Sequence, residues 1–238
     1  MHKFLILKVG GTFPDYAARR GDFEHWAADG MGIGRDEWVS VNVQAGDPLP
    51  DPARFAGCAV TGSHDMVTDG FPWIEAASAW VRRAVEAGLP LFGICFGHQL
   101  MAHALGGEAG YHPAGLEIGT ADITRAEASA TDPLFRDLPA VFPGHVTHSQ
   151  TALRLPPGAV LLATGSHDPH QAFRVGENAW GVQFHPEFDS PAIREYIARR
   201  RDDLTAKGRD AEAILETVRD TPDSASLLRR FAAYCTAR

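Results

Sequence analysis

The segment GICFGHQL, Gly93 to Leu100, sets a cysteine between two glycines where an apolar run meets a helix-like run. LPLFGIC (Leu89–Cys95) reads as a buried strand, and FGHQLMAHALGG (Phe96–Gly107) as the helix that follows it without a linker. In a doubly wound sheet, chemistry collects beyond the carboxyl ends of the strands. A thiol on so sharp a strand-to-helix turn is pushed out of the sheet and exposed. A side chain at Gly93 or Gly97 would crowd the turn or the neighbouring strand. The helix start adds free N–H groups and a positive dipole end, which suit negative charge, and the N–H of Phe96 can serve an oxyanion. Cys95 is therefore read as a nucleophile. Cys58 and Cys235 are read as small buried hydrophobes, the common fate of a free cysteine.

Outward from that corner, the first hundred residues alternate strand-like and helix-like segments. KFLILKVG (Lys3–Gly10), EWVSVNV (Glu37–Val43) and GCAVTGS (Gly57–Ser63) are β-rich runs. In PWIEAASAWVRRAVEAG (Pro72–Gly88), Ile74, Ala77, Trp80, Val81 and Val85 recur at helical spacing, and Gly88 stops the helix. Strands separated by helices imply right-handed crossovers and a largely parallel sheet. From Tyr111 the chain turns to short β-like runs, among them a hairpin at RVGENAW with its turn at Gly176-Glu177-Asn178. Beyond Pro191 it is helical and charged. The run Arg199 to Arg201 is balanced by Glu195, Asp202 and Asp203, and reads as a solvated helix face. One α/β domain over residues 1–189 with a C-terminal helical extension over 190–238, packed on the same domain, is the economical division.

The bulk numbers agree. The 238 residues are 45% hydrophobic and 22% charged, enough for a substantial core. A net charge of -8 argues against nucleic acid or an anionic membrane as partner. Three well-separated cysteines without a CxxC pair suit a reducing cytoplasm. No apolar run reaches the roughly 20 residues that span a bilayer, and the N-terminal one is too short for a signal peptide. The expected location is cytoplasmic.

A thiolate nucleophile needs an imidazole held by a carboxylate. Among eleven histidines, His185 stands out in GVQFHPEF, at the end of a strand-like run. Residues i and i+2 of an extended segment face one way, so His185 and Glu187 point together across Pro186. Glu187 then accepts from one ring nitrogen and turns the other to the thiol.

These residues resemble the class I glutamine amidotransferases, whose triad is Cys-His-Glu. GICFGHQLMAHALGG is similar to the family's nucleophile elbow and GVQFHPEF to its His-x-Glu motif; AVTGSHDMVTD (Ala59–Asp69) resembles the segment that supplies the second oxyanion amide. The resemblance implies an α/β, flavodoxin-like, mostly parallel sheet flanked by helices, with added β-hairpins. It implies a thioester on Cys95, with His185 and Glu187 as partners, and the amides of Gly62 and Phe96 around the oxyanion. Gln99 would line the pocket for the glutamyl group. Within the family the chain looks most like the amidotransferase part of GMP synthases standing alone, and like plant γ-glutamyl peptidases, helical tail included.

GMP-synthase-type members carry an acidic residue that meets the substrate α-amino group. The matching region here is THSQT, with His148, Ser149 and neutral Gln150 as candidate substrate contacts. A neutral amide forgoes the charge-assisted part of such a contact. The residues after Phe188 are too few for an ATP pyrophosphatase and lack its Gly/Ser-rich phosphate loop. Any ammonia-consuming synthetase would then be a separate partner.

The expected reaction is hydrolysis of a γ-glutamyl amide to glutamate and ammonia. A γ-glutamyl peptidase and a catalytically silent binding or regulatory module are the alternatives. The DJ-1-like elbow proteins place histidine directly after the cysteine, where this chain has Phe96. No metal or organic cofactor is required. His145/His148 and His167/His170 have His-x-x-His spacing but lack a third ligand at a convincing distance, and read as loop polar residues.

Overall fold

The computed structural model describes residues 2–238. The first half runs β1 (Phe4–Lys8), α1 (Pro14–Arg20), α2 (Phe23–Met31), β2 (Trp38–Asn42), β3 (Cys58–Val60), α3 (Pro72–Glu86), β4 (Leu91–Ile94) and α4 (Phe96–Ala104). Seven strands follow: β5 (Glu108–Tyr111), β6 (Glu117–Arg125), β7 (Val141–His148), β8 (Gln150–Arg154), β9 (Val160–Gly165), β10 (Ala172–Val175) and β11 (Ala179–Val182). The chain closes with α5 (Ser190–Arg199), α6 (Arg201–Ala206), α7 (Ala211–Glu216) and α8 (Pro222–Thr236).

Nine strands form one sheet in the order β2-β1-β3-β4-β11-β10-β9-β6-β7, and β5 pairs with β8 in a second. From β2 to β11 all neighbours are parallel, the flavodoxin-like core that the strand–helix alternation leads one to expect. The chain after β4 extends that core antiparallel through β10, β9, β6 and β7. β10 and β11 form the hairpin expected at Gly176 to Asn178.

β1 shows why the sheet is covered on both faces. Its sequence FLILK is apolar without alternation, as a doubly buried parallel strand requires. Phe4 and Ile6 point to one layer with Met31, Leu228 and Phe231 from α2 and α8. Leu5 and Leu7 point to the other, against Ile74, Trp80 and Leu100 from α3 and α4. Pro72 opens α3, and Gly88 turns the chain at φ 73° one residue past its cap, a left-handed value that favours glycine. Its buried face is Ile74, Ala77, Trp80, Val81 and Ala84. A third cluster joins Tyr16, Phe23 and Trp26 to Phe188, Ile193 and Tyr196, so the helices after Ser190 cover one end of the sheet.

Two expectations change. His145 and His148 lie in β7 and are buried, not in a loop; His167 and His170 do lie in the loop after β9. The arginine run is divided: Arg199 pairs with Asp15 and Glu195, and Arg201 with Glu212, while Arg200 turns toward a pocket described below.

The elbow glycines are required by close approach. A methyl at Gly93 would sit 2.6 Å from the Gly97 carbonyl, and one at Gly97 would sit 2.6 Å from the Val60 carbonyl. Both obstacles are backbone, which cannot swing away. Gly97→Ala is therefore expected to destabilise the protein by about 1–3 kcal/mol through overpacking. Urea denaturation checks this, and a midpoint equal to that of the parent would refute the packing account.

Candidate active site

Strand order assembles the site. β3, β4 and β11 are parallel neighbours, with Val60 opposite Gly93 and Val182 opposite Ile94. Whatever follows their carboxyl ends must converge: Gly62 after β3, Cys95 after β4 and His185 after β11. The Cys95 N–H donates to the Val182 carbonyl at 2.8 Å, which ties the elbow to the histidine strand. A methyl at Gly62 would lie 3.4 Å from His185 Cε1 and 3.9 Å from Cys95 Cβ, so all three residues share one small volume.

Cys95 has φ 49° and ψ -99°, and is the only non-glycine residue with positive φ among those described. Such a conformation costs on the order of 1–3 kcal/mol and persists only where its surroundings impose it. Here the β4 ladder on one side and α4 on the other impose it. The thiol is 5% exposed, so it lies at the floor of a pocket; sequence reasoning had placed it in the open. Its Sγ is 4.0 Å from the Thr147 carbonyl. The other thiols lie outside this pocket: burial pushes Cys235 up to about 12, and drives Cys58 higher.

His185 Nδ1 donates to Glu187 Oε1 at 2.7 Å, with both side chains nearly sealed from solvent. Burial alone would lower the imidazole pKa, but the Glu187 carboxylate and Cys95 together raise it to about 10. His185 is thus an imidazolium at neutral pH. Its Nε2 is buried and has no hydrogen-bond partner. The ring stacks on Phe188 at 4.2 Å between centroids, and its backbone N–H donates to His145 O at 2.7 Å. His145 stays neutral, held down to about 4 by burial and then by the charge of His185.

Beside Cys95, Phe96 is the first residue of α4, whose leading N–H groups lack intrahelical acceptors. The Thr61 hydroxyl donates to the Gly62 carbonyl and accepts from the Val9 N–H, both at 3.1 Å, and so pins the turn after β3.

Gln99, His148, Ser149 and Gln150 all line the same pocket, with unequal polar capacity to spare. Gln99 Nε2 donates to Gln150 O at 2.7 Å and Gln183 Oε1 at 3.1 Å. His148 turns one ring nitrogen to Gln150 O at 2.9 Å and the other to Glu117 Oε2 at 2.8 Å. Both of these residues therefore brace the β7–β8 corner. Gln150 donates Nε2 to Thr68 Oγ1 at 2.5 Å, whereas its Oε1 is buried without a partner. That oxygen is an acceptor with its capacity unused.

Sequence reasoning missed the brace behind His148: Glu117 Oε2 also accepts from Gln171 Nε2 at 3.0 Å, and Asp168 Oδ2 from the Thr151 hydroxyl at 2.5 Å. It also missed Phe23, His64, Tyr196 and Arg200, which line the same pocket. His64 follows Gly62 by two positions and could have been found there. Tyr196 and Arg200 are four apart on one helix face, a spacing that means nothing until α5 is docked. No group of three or more His, Cys, Asp or Glu with metal-binding geometry occurs among the described residues. No helix among them is long and apolar enough to cross a membrane.

Comparison with known proteins adds to this geometry. Residues 53–201 match the family model described as glutamine amidotransferase class-I. The chain is 30% identical over 184 residues to a glutamine-hydrolysing GMP synthase of Aeropyrum pernix, covering 77% of this chain and 32% of that protein. It thus spans about a third of that relative's length, and 21% of a GMP synthase from Thermomicrobium roseum. It is 28% identical over 206 residues to gamma-glutamyl peptidase 4 of Arabidopsis thaliana, covering 84% of this chain and 80% of that one. A glutamine amidotransferase structure from Methylobacillus flagellatus superposes with a TM-score of 0.74 at 25% identity, over 99% of this chain and 93% of that one.

Proposed function

The chain belongs to the glutamine amidotransferase class-I family, and from that premise we propose that it is a cysteine-dependent amidase that cleaves γ-glutamyl amides through a thioester on Cys95. One observation carries the reading: the buried His185 ring, oriented by Glu187 through Nδ1, leaves Nε2 without a hydrogen-bond partner in the volume that it shares with Cys95 and Gly62.

In the proposed reaction Cys95 Sγ attacks the γ-carbonyl carbon, and the developing oxyanion meets the N–H groups of Gly62 and Phe96. One such donor is worth about 2.7–4 kcal/mol in the transition state. His185 Nε2 gives its proton to the leaving nitrogen as the C–N bond breaks, leaving a glutamyl thioester and a free amine. Water then adds to the thioester, Nε2 takes its proton, and glutamate departs with the thiolate restored. Glu187 holds the ring and offsets its charge throughout. When the amide is glutamine the amine is ammonia, released or taken up by a separate synthetase chain.

A second reading, that the substrates are γ-glutamyl peptides or conjugates, is favoured by two observations. The Arabidopsis peptidase is matched over 80% of its own length. Gln150 offers a neutral oxygen where GMP-synthase-type members have a carboxylate. The test offers glutamine and a γ-glutamyl dipeptide side by side, follows glutamate release, and looks by mass spectrometry for a glutamyl adduct on the Cys95 peptide after rapid quenching. Both glutamate and adduct are expected. Release of glutamate without any Cys95 adduct under single-turnover conditions would contradict the thioester route.

A further inference from the structure

The arginine side chains in and around α5 all have protein partners with one exception. Arg199 pairs with Asp15 and Glu195, Arg201 with Glu212, and Arg194 donates to the carbonyls of Leu215 and Val218. Among the described residues no carboxylate lies within 4.0 Å of the Arg200 guanidinium, and it makes no side-chain hydrogen bond to protein. Arg200 lines the pocket above Cys95. The pocket carboxylate of Asp65 accepts from Gln44 Nε2 at 2.6 Å through Oδ2 and makes no ion pair with Arg200. A half-buried cation at a catalytic pocket, left without its counter-ion while both sequence neighbours have theirs, is a position for an anion that arrives with a ligand.

Which part of the ligand carries that anion follows from the two walls. The wall with Gln150 and Gln99 holds the orphan acceptor Oε1, suited to the ammonium of a glutamyl group. From His185 a chain of aromatic contacts leads to the wall that carries Tyr196 and Arg200. Phe188 stacks on His185, Tyr196 packs on Phe188 at 5.0 Å, and the Tyr196 hydroxyl meets His64 Nε2 at 3.1 Å. Arg200 lies one helical turn beyond Tyr196. The leaving nitrogen must reach His185 Nε2 to be protonated, so whatever is attached to that nitrogen extends along this aromatic wall. His64 feels the same neighbourhood: burial lowers its pKa, and the charges of Arg200 and His185 lower it further.

Resting on the amidase reading above, we infer that Arg200 recognises a carboxylate on the leaving amine, so that the preferred substrates are γ-glutamyl amino acids or peptides with a free carboxyl end. Ammonia, as the leaving group of glutamine, offers Arg200 nothing to bind. The C-terminal helices are then part of the specificity apparatus as well as a cover for the sheet.

The experiment compares kcat/KM for γ-glutamyl-alanine and γ-glutamyl-alaninamide, which share the scissile bond and differ in the terminal charge. The parent is expected to prefer the acid by roughly 10–100-fold, mostly through KM, as loss of a charge-assisted contact implies. Arg200→Met should bring the ratio close to one, and Arg200→Lys should restore several-fold preference. Equal rates on acid and amide in the parent overturn the inference without any variant. So does Arg200→Met lowering both substrates alike, which would assign Arg200 to the glutamyl end or to the fold. Either result leaves the amidase reading standing. Absence of Cys95-dependent glutamate release from acid, amide and glutamine overturns both together.

Discussion

Cys95→Ala is expected to abolish glutamate release, by at least roughly 10⁴-fold, with the fold intact; loss of a triad nucleophile elsewhere costs up to about 10⁶ in kcat. The remainder reflects oxyanion stabilisation and binding, which need no thiol. Cys58 and Cys235 cannot substitute, since neither lines the pocket that holds Cys95. The stability of the variant carries separate information. Cys95 is held at φ 49°, ψ -99°, a conformation unfavourable for any residue with a Cβ. Alanine keeps that strain and loses one sulfur's contacts, so a modest drop is expected. Cys95→Gly removes the strain and should be the more stable of the two, by about 1 kcal/mol, against the usual order in which glycine is the weaker choice. Glutamate release and thermal melting on the pair settle both claims. Retention of more than a tenth of parental activity in Cys95→Ala would rule out Cys95 as the nucleophile.

Glu187→Gln is the second large effect. The amide oxygen can still accept from His185 Nδ1, so the ring keeps its place while the neighbouring charge disappears. Burial, the largest influence on His185 and one that disfavours its charged form, then acts with much less opposition, and the pKa falls from about 10 toward or below its ordinary 6.5. The leaving amine loses its acid at neutral pH. The expected fall in kcat is roughly 10²–10⁴-fold, the scale of a misassigned triad imidazole. The stability consequence has a definite sign. The folded-state pKa of His185 is raised, so its ion pair stabilises fully below about pH 6.5, and that contribution is lost as pH rises through about 10. Glu187→Gln should therefore be destabilised most near pH 6.5, by up to about 3 kcal/mol, and the gap to the parent should narrow toward pH 10. Urea denaturation at the two ends of that range, alongside NMR titration of the His185 ring, measures both. A gap that widens with pH would show that Glu187 acts otherwise than through an imidazolium.

The elbow and the His-Pro-Glu turn were legible because their marks fall in short stretches of sequence. Gly93 and Gly97 flank Cys95 within one turn of chain, and each is required by backbone that approaches it to 2.6 Å. His185 and Glu187 need only an extended segment to face the same way. The strand–helix alternation of the first hundred residues was equally open, since β1 and α3 carry their burial pattern in consecutive residues.

The amino-acid sequence by itself therefore determined the parallel core, the strained cysteine corner and the histidine–carboxylate pair, all of which leave their mark in short stretches of residues. Tertiary structure alone decided the rest. It set Cys95 at a pocket floor, and buried His145 and His148 in β7. It placed Glu117 and Gln171 behind His148, and brought Arg200 over Cys95 from a helix more than a hundred residues downstream. Those meetings depend on sheet register and on where α5 docks. A charged side chain carries no local mark of whether its partner will be water, a neighbouring carboxylate or a ligand, because packing between distant segments decides which of these it meets.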